Sequence, residues 1–102
     1  MQTYTLTIDY GLEAAFCEIT WYDGTGKNEI GEDEPGYQGS CDHGTMGTKN
    51  YTFNSNNGYQ VMAHVDLTTE DDKWCGPYYQ DCYIRIHGSL DKWKFTPFSP
   101  CS

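Results

Sequence analysis

The chain opens on a strict alternation of apolar and polar positions. In Tyr4-Thr5-Leu6-Thr7-Ile8-Asp9-Tyr10, the residues Tyr4, Leu6, Ile8 and Tyr10 fall on one side, and Thr5, Thr7 and Asp9 on the other. A period of two, carried by aromatic and β-branched residues, predicts a strand with one buried face. Phe16 to Tyr22 repeats the pattern with Cys17, Ile19 and Trp21 inward, and Asp23-Gly24-Thr25-Gly26 ends it as a turn. Thr48 to Phe53 predicts a third strand, with Tyr51 and Phe53 inward. Asn57-Gly58 closes the polar cluster that begins at Asn54, and this dipeptide is the strongest short hairpin signal in the chain. Tyr59 to Leu67 is the longest alternating run, with Tyr59, Val61, Ala63, Val65 and Leu67 on the inner side. Gln80 to His87 turns Cys82, Ile84 and Ile86 inward. Leu90 to Phe95 predicts a last edge strand using Trp93 and Phe95, stopped by Pro97 and Pro100.

Two stretches break this rhythm. Lys27 to Thr48 loses all periodicity among glycines and acidic residues, and a strand near Gly36-Tyr37-Gln38 is the only element suggested within it. Loops of this length in a small domain tend to be functional. Thr68 to Trp74 reads either as a polar loop or as a short helix capped by Thr68 with Asp71 three residues on. No segment fits a helical period well. The expected fold is therefore all-β: a small antiparallel β-sandwich or barrel of five to six strands, disulfide-stapled, with a long Gly-rich acidic loop. One domain spans residues 1–102, and the pattern contains no internal repeat.

Composition tightens this picture. A chain of 102 residues buries roughly 60–70% of its unfolded surface, which leaves a thin margin for a core. Aromatic residues reach 16% while all hydrophobic residues reach only 37%, so large amphipathic rings carry much of the burial. The five cysteines, Cys17, Cys41, Cys75, Cys82 and Cys101, form no C-x-x-C motif and no zinc-like spacing. They point to disulfides, an oxidising compartment and an extracellular, secreted protein. Asn50-Tyr51-Thr52 is an N-glycosylation acceptor and agrees with that compartment. No apolar run is long enough to span a membrane, and no signal peptide precedes the first strand, so the chain reads as a mature domain with an added methionine. Fifteen acidic residues against six basic ones give a net charge of −9, which disfavours duplex nucleic acid and anionic membranes as partners.

Pairing of five cysteines leaves at least one over. Cys75 and Cys82 bracket a six-residue loop and are expected to close it, a staple worth about 2.5 kcal/mol. Cys101 anchors the tail, with Cys17 or Cys41 as partner; Cys17, alternating with Ile19 and Trp21, is the expected free thiol, leaving Cys41, Cys75, Cys82 and Cys101 bonded. Only Cys41, two residues before His43, loosely offers the cationic neighbour a catalytic thiol wants.

Three kinds of chemistry remain open. Glu18, His64, Arg85 and His87 lie on the outward faces of predicted strands. If those strands adjoin, a carboxylate, a guanidinium and two imidazoles would supply acid–base cleavage of RNA, with residue types like those of small secreted fungal ribonucleases. The plainer reading is an exposed polar sheet face. Two acidic runs, Glu29 with Glu32, Asp33 and Glu34, and Glu70 with Asp71 and Asp72, raise calcium binding, although neither matches an EF-hand loop. Solvated charge is the alternative, and no metal or other cofactor is expected. Finally, Trp74, Tyr78 and Tyr79 near Pro77, and Tyr22 and Tyr37 flanking the Gly-rich segment, offer rings for a sugar or a protein partner, as in a carbohydrate-binding module, or for packing.

The length, the spacing of Cys17, Cys41, Cys75, Cys82 and Cys101, and the Gly-, Asn- and Tyr-rich β pattern resemble the small secreted cysteine-rich proteins of fungi, which include plant-cell effectors and elicitors. The odd cysteine count departs from that class. The resemblance implies a secreted protein that acts on a host or competitor, often without catalysis. The leading expectation is a monomeric, non-enzymatic binding protein that recognises a host protein or a cell-wall glycan.

Overall fold

The structure is a computed structural model, and it describes residues 1–33 and 40–102. Eight strands and one helical turn follow in the order β1 (Gln2–Leu12), β2 (Cys17–Asp23), β3 (Glu29–Asp33), α1 (His43–Met46), β4 (Thr48–Ser55), β5 (Tyr59–Val65), β6 (Lys73–Tyr78), β7 (Cys82–Ser89) and β8 (Lys92–Pro97). They form two four-stranded sheets: sheet I in the order β4-β1-β7-β8, and sheet II in the order β3-β2-β5-β6. All pairings are antiparallel except β1 with β7, which run parallel. The all-β expectation holds, with eight strands among the described residues rather than five or six.

The alternation read from the sequence is the alternation of burial. Leu6, Ile8 and Tyr10 of β1, Ile84 and Ile86 of β7, and Trp93 of β8 face Ile19 of β2 and Tyr59, Val61, Ala63 and Val65 of β5. Burying such side chains is worth about 1.5–3 kcal/mol each, the main force holding the layers together. Aromatic rings fill one end. Tyr4 lies 5.0 Å from Tyr59 and Tyr59 5.1 Å from Phe53, while Trp21 stacks on Tyr51 at 4.7 Å. Gly31 lies flat against the Trp21 indole, where a Cβ would sit 2.8 Å from the ring. One polar network crosses the interior: the Tyr10 and Tyr51 hydroxyls meet at 2.8 Å, and both donate to the Asp33 carboxylate. Burial, above all, drives the Tyr10 and Tyr51 phenol pKa values far up.

Several connections differ from expectation because the chain changes sheets where a hairpin was predicted. Asn57-Gly58 does not join paired strands. β4 lies in sheet I beside β1, whereas β5 lies in sheet II between β2 and β6. Gly58 takes a φ of +73°, and the Ser55 hydroxyl donates to its carbonyl at 2.5 Å. A Cβ at Gly58 would meet the Tyr78 carbonyl at 2.4 Å, so the left-handed turn needs glycine twice over. The predicted structureless stretch contains β3, paired to β2 through a turn organised by Asp23. The Asp23 carboxylate accepts from the Thr25 amide, the Thr25 hydroxyl and the Asn28 amide, which lowers its pKa to about 2. The same stretch contains α1, capped by Asp42, which accepts from the Thr45 amide at 2.7 Å. The suggested strand at Gly36-Tyr37-Gln38 lies outside the described residues. No helix forms over Thr68 to Trp74: Thr68 accepts from the Glu70 amide in a tight turn, and β6 begins at Lys73. Leu67 is not inward. β5 stops at Val65, and Leu67 stands 89% exposed with a φ of 61°.

The disulfides correct the expected pairing. Cys17 bonds Cys41, and Cys82 bonds Cys101; Cys75 is the free, buried thiol. Cys75 and Cys82 do not form a staple because the segment between them carries the chain from β6 in sheet II to β7 in sheet I. Cys75 instead aims its thiol at the Phe95 carbonyl, 3.6 Å away. Cys17 does face the core, as its alternation implied, but Cys41 reaches it there. The Cys41 amide donates to the Ala15 carbonyl at 2.8 Å, and its own carbonyl accepts from the Leu12 amide at 3.1 Å, so the pair pins residue 41 into the β1–β2 corner. Two disulfides in so small a domain fit an oxidising, extracellular-type environment, and among the described residues no helix is long and apolar enough to cross a membrane.

Candidate binding face

The outward positions of the two sheets make two different surfaces. On sheet I, β1 and β4 pair Thr3 with Asn54, Thr5 with Thr52, and Thr7 with Asn50. The Thr3 and Thr7 hydroxyls donate to the asparagine carbonyls at 2.7 Å, and the Thr5 and Thr52 hydroxyls meet at 3.2 Å. Further across, Arg85 donates to Asp9 at 2.9 Å and its guanidinium lies over Phe98, which packs edge-on to Tyr83. Burial pushes the Asp9 pKa up, but hydrogen bonds from Arg85 and Tyr83 outweigh it, and the net shift is downward. His87 contacts the Thr96 hydroxyl at 3.1 Å, and burial, aided by Arg85 and Lys94, lowers its pKa.

On sheet II the outward residues of β2 are Glu18, Thr20 and Tyr22, opposite His64, Met62 and Gln60 of β5. Trp74 of β6 is the register partner of Met62. The Tyr22 and Trp74 rings lean together across β5 with centroids 4.9 Å apart, and Trp74 is still 47% exposed. Thr20 is buried although it points outward. Glu32 and Glu29 of β3 flank Thr20 and Tyr22, and both are exposed. Burial raises the Tyr22 pKa, and the negative charges of Glu29, Asp72 and Glu32 raise it further. At the edge of this face His64 is held by Asp72 at 2.7 Å and Asp66 at 3.1 Å. The Asp72 hydrogen bond is the largest of the influences that raise the imidazole pKa.

This geometry separates the four residues considered for RNA cleavage. Glu18 and His64 are register partners on the outer face of sheet II, whereas Arg85 and His87 stand on the outer face of sheet I, with the core between them. An acid and base on one side cannot share a phosphate with a guanidinium on the other. The strands carrying His64 and Arg85 alternate as expected, but they belong to different sheets. Cys41 is bonded, so it is no nucleophile. His43, in α1, lies 3.7 Å from Asp9.

The acidic runs likewise disperse. Asp33 turns inward to the two tyrosines while Glu29 and Glu32 stay outside, Glu70 pairs with Lys73, and Asp72 with His64; Glu34 lies outside the described residues. Among the described residues no three acidic, histidine or cysteine side chains are placed to hold a metal ion. The aromatic candidates divide three ways. Trp74 joins the outer face of sheet II, Tyr78 packs against Tyr59 at the core, and Tyr79 stands exposed where the chain leaves β6. Tyr37 lies outside the described residues. The ring that completes the site is Tyr22, four positions beyond Glu18 on an outward-facing period, and only the β2–β5–β6 adjacency brings it to Trp74. Comparison with protein-family models, with characterised proteins and with solved structures finds no match to this chain.

Proposed function

We propose that the chain is a secreted, non-catalytic binding protein of effector or elicitor type, and that it meets a host protein or wall glycan on the outer face of sheet II. The observation that carries this reading is the Tyr22–Trp74 pair: two large rings in mutual contact on a sheet exterior, one of them half exposed. Aromatic residues at such positions supply rigid contact area at low entropic cost. The two disulfides support function outside the cell. Asn50 supports a glycosylated form, since it is exposed on the edge strand β4 and only its carbonyl oxygen is engaged, by Thr7, leaving the amide nitrogen that would carry a glycan. The test is an NMR titration of the labelled protein with oligosaccharides of chitin, β-glucan and cellulose and with short basic and neutral peptides. A ligand that shifts Tyr22 and Trp74 and is weakened by Trp74→Ala supports the reading. Ligands that shift only sheet I, or that bind Trp74→Ala as well as the parent, overturn it.

A further inference from the structure

The charge around the two rings narrows the partner. Glu18, Glu29 and Glu32 project from the outer face of sheet II, and among the described residues no basic side chain pairs with them. The imidazole there, His64, already lies between Asp66 and Asp72. Every lysine and the arginine lies elsewhere. Arg85, Lys92 and Lys94 are on β7 and β8, Lys49 is on β4, Lys27 is in the β2–β3 turn, and Lys73 is taken by Glu70 and the Trp93 carbonyl. The face therefore combines electron-rich rings with uncompensated carboxylates. A neutral sugar could stack on the rings but would gain nothing from the carboxylates. A guanidinium gains from both, because it stacks on an aromatic face and donates to a carboxylate in a bidentate fork. Negative potential over the face would also steer a basic segment toward it.

We propose that the outer face of sheet II docks an arginine-bearing segment of a partner protein, with a guanidinium seated against Trp74 and Tyr22 and held by the Glu29 and Glu32 carboxylates. This rests on the assignment of that face as the binding surface. It adds the chemistry of the occupant.

The experiment is a calorimetric and fluorescence titration of the full chain with hexa-arginine, with hexa-citrulline as its neutral isostere, and with hexamers of chitosan and chitin. Hexa-arginine should bind and hexa-citrulline should not, and binding should weaken as salt rises. Trp74→Ala should weaken it about three- to thirtyfold, the range for a cation over an indole. Glu32→Gln should weaken it as well, whereas Glu13→Gln, which removes the same charge from the exposed β1–β2 turn, should leave it unchanged. Equal loss in Glu32→Gln and Glu13→Gln would mean attraction to net charge alone and would overturn the proposal. Tighter binding of the chitosan hexamer would replace the protein partner by an amine-bearing glycan. Preference for chitin or citrulline would overturn the cationic occupant while leaving the face as the binding surface. If no probe perturbs Trp74, the arginine-bearing occupant is overturned, while the face itself is decided by the wider ligand titration above.

Discussion

The two exteriors of this sandwich spend their polar groups in opposite ways. On sheet I the threonines of β1 satisfy the asparagines and threonine of β4, Arg85 satisfies Asp9, and Phe98 covers the guanidinium. Those side chains satisfy one another within the sheet. On sheet II the rings lie open and the carboxylates of β3 face water. Side chains that bond one another compete with any partner, so the proposed binding rests on the less saturated face of sheet II. The same alternating strand pattern built both; what differs is whether neighbouring strands supply matching groups.

Each sheet is held to a distant part of the chain by one disulfide, and removing these gives the largest expected effect. Cys82→Ser with Cys101→Ser, and Cys17→Ser with Cys41→Ser, release loops of similar length, with separations of 19 and 24 residues. Each pair should cost about 3 kcal/mol in urea denaturation. A much smaller loss for one pair would show that its sheet holds without the staple. Next comes Gly31→Val, which forces a side chain into the Trp21 indole beneath sheet II. Overpacking of this kind costs about 1–3 kcal/mol, whereas Thr5→Val on the exterior of sheet I should stay within about 0.5 kcal/mol. Comparable losses would erase the distinction between a tight interior contact and a replaceable exterior one.

The smallest effects are electrostatic and run in opposite directions with pH. Asp9 has a lowered pKa in the folded chain, so its contribution is present above the usual 3.8 and is lost as pH falls through the folded value. Asp9→Asn should cost about 1 kcal/mol near neutrality, and little at pH 2, in thermal melts followed by circular dichroism. His64 has a raised pKa, so its contribution is fully present below the usual 6.5 and is lost as pH rises through the folded value. His64→Gln should cost about 0.5 kcal/mol at pH 5.5 and less at pH 9, because this half-exposed pair is screened by solvent. NMR titration of the His64 ring should give a pKa above 6.5 and that of His87 one below it. The reverse order would remove the electrostatic contrast between the two surfaces.

The layers of this fold were legible in the sequence because burial on one side of a strand writes itself as period two. Tyr4 to Tyr10 lies wholly within β1, while Phe16 to Tyr22 and Gln80 to His87 match β2 and β7 from Cys17 and Cys82 onward. What the period does not carry is adjacency. Nothing in Asn54 to Gly58 or in Gly76 to Asp81 distinguishes a turn that returns to its own sheet from one that crosses to the other. Two errors followed from that single ambiguity: the hairpin assigned to Asn57-Gly58, and the disulfide assigned to Cys75 and Cys82. The site suffered likewise. Trp74 was visible as a loop aromatic, but Tyr22 joins it only through β5. Glu18 and Arg85 shared an outward phase without sharing a surface.

The two interior anchors on either side of residues 34–39 have a practical consequence. Asp33 is fastened by two phenols before that stretch, and Cys41 by a disulfide and two backbone bonds after it. The framework therefore fixes the take-off and landing points independently of what joins them. Each anchor can therefore be loosened alone, Asp33 by Tyr51→Phe and Cys41 by reduction of its bond to Cys17, which makes the end of β3 and the start of the segment before α1 separately adjustable.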